Sequence, residues 1–188
     1  MRRRQFLCTS GVAVGIGLAG CSAFSTETLT PSTEDGERTV WLHYDDDEHI
    51  ATVSLHAEWR DDSHELHYPL QIHLWKENGL DAKSLRYEYR ATDIGHADAP
   101  PTLYLERFSG PREPVEFSRN DDGDVTVLAI PDLGSLGRGS VTTNLLVENR
   151  NDEPFELSVD IEVILDGGRL STDYELTGTA AVEIPARW

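Results

Sequence analysis

Seven histidines are many for a chain of 188 residues, and six of them fall between His43 and His73. Imidazoles on neighbouring strands are side chains that hold zinc or copper(II) through a ring nitrogen. His43, His56, His67 and His73 form the candidate set, with zinc or copper as the ion. No H-x-H or H-x₃-H pair occurs among the histidines, so the ligands would have to converge from separate strands. The competing reading, which the pattern favours, is polar side chains on the wet face of one sheet.

Other chemistries are poorly supplied. A blue-copper site needs a thiolate and usually a methionine, but the chain has two cysteines, Cys8 and Cys21, and its one methionine is Met1. Haem attachment and iron–sulfur clusters fail for the same want of cysteines. Gly15-Ile16-Gly17-Leu18-Ala19-Gly20 spells a dinucleotide fingerprint but lies in an N-terminal targeting segment, without a strand before it. The acidic runs Asp45-Asp46-Asp47-Glu48-His49 and Asn120-Asp121-Asp122-Gly123-Asp124 read as solvated turns, the second lacking the loop length and closing glutamate of a calcium loop. Gly134 to Ser140 contains no G-x-S-x-G elbow. No cofactor and no enzymatic activity are expected.

The elements that must position these residues are strands. From Val40 onward apolar residues recur at every second position: Val40, Leu42 and Tyr44; Val53, Leu55, Ala57 and Trp59; Leu66, Tyr68, Leu70, Ile72 and Leu74; Leu85, Tyr87 and Tyr89. Shorter runs cover 103–105 and 125–130. The strictest alternation spans Phe155 to Leu165, with Glu156, Ser158, Asp160 and Glu162 on its polar side. Such alternation marks sheets with one wet face. It places His43, His56, His67 and His73 opposite the apolar rows. Pro69 suggests an edge strand or bulge, residues 77–83 allow one helical turn, and Asp166-Gly167-Gly168 suggests a tight hairpin turn. Val159 and Ile161 are expected in the core. The longest stretches without alternation are 92–101 and 132–140.

The piece from Val141 to Leu165, VTTNLLVENRNDEPFELSVDIEVIL, resembles a hairpin of immunoglobulin-like surface domains: a strand ending in Asn149, a polar turn, then a long alternating strand. The resemblance implies an all-β, antiparallel, immunoglobulin-like sandwich, here of roughly eight to ten strands. The cysteines and tryptophan that mark antibody domains are absent, so the likeness is architectural.

At the N-terminus, Arg2, Arg3 and Arg4 precede an apolar run of about fourteen residues, too short to span a bilayer. Arg3-Arg4-Gln5-Phe6-Leu7 resembles a twin-arginine export signal, carried by Arg3, Arg4, Phe6 and Leu7. Leu18-Ala19-Gly20-Cys21 resembles a lipobox. Together they imply cleavage before Cys21, lipidation of that residue, and attachment to the outer face of the cell membrane. Residues 21–38, rich in Ser, Thr, Glu and Pro, read as a flexible linker, and 39–188 as the sandwich domain.

The formal net charge is −18, from 34 acidic against 16 basic residues, three of the latter in the signal. The exported chain is more acidic still. No basic cluster follows the signal, so nucleic acid is excluded as a partner. The acid-rich, lysine-poor composition resembles that of extreme halophiles, and the whole resembles a haloarchaeal type of exported lipoprotein. The expected function is a non-catalytic binding or structural module with an unknown protein or ligand as partner.

Overall fold

The structure, a computed structural model, describes residues 26–36, 38–57, 67–77, 79–92, 100–108, 115–120, 123–134, 139–168 and 172–186. Its elements are strands: β1 (Thr26–Leu29), β2 (Ser32–Asp35), β3 (Thr39–Asp45), β4 (His49–Ala57), β5 (His67–Lys76), β6 (Asp81–Thr92), β7 (Thr102–Phe108), β8 (Glu116–Arg119), β9 (Val125–Ile130), β10 (Val141–Glu148), β11 (Phe155–Asp166) and β12 (Asp173–Ile184). They form two six-stranded sheets, ordered β1-β12-β11-β6-β9-β8 and β2-β3-β4-β5-β10-β7. Every pairing is antiparallel except β1 with β12. The chain is an all-β, immunoglobulin-like antiparallel sandwich.

The apolar rows meet between the sheets. Leu42, Val53, Leu55, Leu70, Ile72, Leu74 and Leu145 from one sheet face Tyr87, Tyr89, Leu128, Leu157, Val159, Val163 and Leu176 from the other, all buried. β11 is paired on both sides, to β12 and β6, and its Val159 and Ile161 are buried as the alternation requires. Where the polar turn follows β10, buried Asn149 donates to the carbonyls of Pro185 (2.7 Å) and Glu153 (3.2 Å) and accepts from the Asn151 backbone. This one amide ties the hairpin to the end of β12, supplying partners the turn backbone would otherwise lack.

Several expectations are corrected. Residues 26–35, read as part of a linker, form β1 and β2, one in each sheet. With β8 they raise the number of described strands to twelve, above the eight to ten expected. Pro69 lies in an interior strand between β4 and β10, with no register shift. Its described cross-strand partner is Leu146 of β10, and the described β4 ladder ends at the Ala57–Leu70 pair. The expected helical turn is absent from the described residues 77 and 79–83: Gly79 stands in a turn at φ +97°, and the Lys76 ammonium donates to the Leu80 carbonyl (2.6 Å). β6 then starts at Asp81, and its register shift against Ile164 and Leu165 turns both Ala82 and Leu85 inward. β11 and β12 do pair as a hairpin, but through a connection longer than a two-residue turn, seated by the Gly168 amide on Asp166 Oδ1 (2.7 Å). The signal residues Arg3, Arg4, Phe6 and Leu7, the lipobox Cys21, and residues 93–99 and 135–138 of the two non-alternating stretches lie outside the described residues.

Candidate interaction face

The outer face of the second sheet is built from the residues opposite the apolar rows of β3, β4, β5 and β10. Three levels of cross-strand neighbours run across it. His43, Thr52 and Trp75 lie at one level, Trp41, Ser54, His73 and Thr142 at the next, and Thr39, His56, Gln71 and Asn144 at the third. Beyond them lie Pro69, Leu146 and Tyr104. With histidine neutral, none of these residues carries a formal charge.

Three of the four candidate histidines are here, each held the same way. Nδ1 of His43 lies 3.1 Å from Thr52 Oγ1, Nδ1 of His56 lies 2.6 Å from Thr39 Oγ1, and Nδ1 of His73 lies 2.9 Å from Thr142 Oγ1. In each pair the threonine is the residue directly opposite on the neighbouring strand. A short hydroxyl and a ring, side by side on a pleated surface, meet without a change of backbone. The bond fixes the ring and turns its second nitrogen away from that threonine.

At one corner the contacts form a chain. His49 Nδ1 lies 2.7 Å from Asp45 Oδ1, and its Nε2 lies 3.1 Å from Thr52 Oγ1. A carboxylate only accepts, so Nδ1 of His49 carries the proton and Nε2 of the neutral ring accepts from the Thr52 hydroxyl. The Thr52 oxygen also lies 3.1 Å from Nδ1 of His43, whose Nε2 faces Glu34 Oε2 at 3.6 Å. Thr52, His49 and Asp45 have the bonding order of a nucleophile, base and orienting acid. The Thr52 oxygen, however, is held between two imidazoles on a flat sheet. Trp75 stacks on His49, with centroids 5.3 Å apart and planes at 16°.

His67 stands apart, at the far end of β5, edge-on to Tyr104 at 6.0 Å. There the Tyr104 hydroxyl donates to Glu148 Oε2 (2.9 Å) and Arg150 donates to both Glu148 oxygens (2.9 and 3.1 Å). The Arg150 guanidinium, with the Tyr104 hydroxyl, holds the Glu148 carboxyl below the usual carboxylate range. The four histidines therefore do not converge. Among the described residues no group of three or more His, Cys, Asp or Glu side chains is placed to hold a metal ion.

The sequence reading missed His49, assigned to an acidic turn, and Trp75, which shares the parity of Gln71 and His73 and was legible on that ground. The outer face of the first sheet differs sharply. Arg90 bonds Glu88 and Asp160, Arg86 bonds Glu88 (2.6 Å), and Thr179 donates to Asp160 (2.7 Å). This ionic lattice floors a groove of about 610 Å³ beneath Thr30 and Pro31.

Solved structures with a similar outline share little sequence. The collagen-binding domain of a Staphylococcus aureus adhesin is 9% identical, with 67% of this chain and 95% of that one covered and a TM-score of 0.38. The seventh ScaB type I cohesin of Pseudobacteroides cellulosolvens is 10% identical over 63% and 81%, at 0.38. The collagen-binding subdomain of the Enterococcus faecalis surface protein ACE is 11% identical over 65% and 91%, at 0.37. No curated protein matches the chain. The domain of unknown function DUF8121 matches residues 25–186, which takes in β1 through β12, and the chain belongs to that family.

Proposed function

We propose that the chain is a lipid-anchored module of the cell surface that binds a partner without catalysis. In this reading Arg3, Arg4, Phe6 and Leu7 direct export, and Cys21 carries the lipid. The outer face of β3, β4, β5 and β10 meets the partner. The observation that carries the reading is the contrast between the two sheet faces. On a chain of net charge −18, one face is an ionic lattice and the other has a centre of uncharged oriented rings, hydroxyls and amides, with Glu34, Asp45, Glu106, Arg107 and the Glu148–Arg150 pair around it. A surface of that kind, on a rigid sheet, suits recognition better than solvation. A second acyl chain or lipid at Cys21 would be needed for stable attachment, since one chain binds only marginally.

The test separates anchor from face. Cys21→Ser should move the protein from the membrane fraction to the soluble fraction; retention in the membrane would overturn the anchor. Purified Cys21→Ser protein added back to intact cells should bind saturably. Trp75→Ala with His73→Ala should abolish that binding. Equal binding by the variant would overturn the role of this face.

A further inference from the structure

Resting on that reading of the face, we propose that its ligand is a neutral glycan laid across β5 and β10 between Trp75 and Tyr104. Charge is the first argument. Arg107, exposed opposite Asn144, and Arg150, paired with Glu148, are the basic side chains beside this strip; two are few for a polyanion, and the net charge of −18 repels one. A polycation finds its carboxylates on the opposite sheet, at Glu88, Asp160 and Glu162. What remains favoured is an uncharged ligand.

The second argument is the arrangement of rings. Among the described residues, Trp75 and Tyr104 are the two large apolar side chains that stand exposed, at 45% and 42%. They occupy opposite corners, two strands apart and separated by about 20 Å along the strand direction at roughly 3.4 Å per residue. Each is fixed beforehand, Trp75 by its stack on His49 and Tyr104 by its bond to Glu148. An aromatic face takes the C–H side of a pyranose ring by dispersion, and fixed rings lose little freedom on binding. A protein partner would be expected to need a contiguous apolar centre. Here the space between the two rings is polar.

That polar strip is the third argument. Gln71 Nε2 donates to Asn144 Oδ1 at 2.9 Å. The pair thus offers the Gln71 carbonyl as acceptor and the Asn144 amide as donor, side by side. A sugar hydroxyl both donates and accepts, and such a pair answers both roles. The second ring nitrogen of His73 lies one level away, oriented by Thr142. A dip of about 100 Å³ lined by Pro69, Gln71, Glu106 and Asn144 has room for an exocyclic group but not for a ring.

The experiment is affinity electrophoresis of the full-length chain in detergent and molar salt. Gels contain dextran, a linear mannan, a mixed-linkage β-glucan, or polygalacturonate as the polyanion. Retardation is expected with at least one neutral polymer and not with polygalacturonate. Trp75→Ala and Asn144→Ala should each weaken it roughly tenfold or more, while Arg86→Ala, on the opposite face, leaves it unchanged. Melting curves of the variants should match the parent, since the replaced side chains lie on the surface. No retardation by any neutral polymer, or retardation that survives Trp75→Ala, overturns the proposal. Sedimentation showing a dimer that Trp75→Ala dissolves would overturn it in favour of self-association. Cell binding that depends on Trp75, without polysaccharide binding, would overturn the glycan and leave the surface-binding reading standing.

Discussion

Nδ1 of His73 lies 2.9 Å from the hydroxyl oxygen of Thr142, directly across the β5–β10 ladder. The two other Thr–His pairs on this face have the same form, so ring orientation is set by opposed residues and not by loops. Thr142→Val keeps the shape and removes the hydroxyl. It should lower stability by about 1 kcal/mol, the net worth of one such bond, read from the urea midpoint. The ¹⁵N shifts of His73 should show its ring tautomers redistributing. A variant with unchanged midpoint and tautomer would show that the pair does not hold the ring.

Ile161 sits mid-strand in β11, buried between two paired neighbours. Ile161→Ala leaves a cavity that flanking strands cannot close, because both ladders fix their spacing. A loss of about 2–4 kcal/mol is expected by denaturant titration. A loss under 1 kcal/mol would mean the sheet relaxes around it.

The clarity of β11 in the sequence has a physical cause. Its six inward residues are all apolar and their neighbours, Ile164 apart, are polar, so side chains alone report the strand. His43, His56 and His73 were placed on the outer face by the same parity. β1 and β2 escaped because TETL and STED have almost nothing to bury, and what holds them is ladder bonding at the sheet edges. Backbone hydrogen bonds leave no mark on side-chain pattern. His49 escaped because plain alternation from Ala51, Val53 and Leu55 would turn it inward; the register shift at Tyr44 and Asp45, with Ile50 and Ala51 both buried, puts it outside beside Trp75. Which hydroxyl meets which imidazole depends on strand order, and that is a property of the fold.

Acid should find Glu148. Its carboxyl is held below the usual range by Arg150 and Tyr104, so the folded state favours the ionised form. The stabilisation is complete above the ordinary glutamate value and is lost as pH falls through the lower folded value. Glu148→Gln should therefore flatten the acid limb of the stability profile and leave the neutral region shifted by a constant amount. Parallel acid limbs in parent and variant would contradict this.

Salt should act in the opposite sense from its usual effect on ion pairs. With a net charge of −18, like-charge repulsion is expected to outweigh the arginine–carboxylate contacts on the first sheet. Screening that repulsion favours the compact state. The melting midpoint should rise from dilute to molar potassium chloride; a flat or falling midpoint would show that the surface pairs dominate.

The crossing from β1 to β2 has a mechanical consequence. The chain passes from one sheet to the other at Thr30 and Pro31, where Gly178 lacks the Cβ that would stand 2.9 Å from the Pro31 ring. β1 runs parallel to β12, with Thr26 through Leu29 paired to Asp173 through Leu176. A pull entering from residue 25 therefore runs down the axis of β1 and loads the bonds to β12 together, in shear, instead of opening them one after another. Past the crossing the same pull reaches β2 and its ladder to β3 in the other sheet. The first strands are thus a buckle across both layers, and a domain held from that end would resist being unravelled strand by strand.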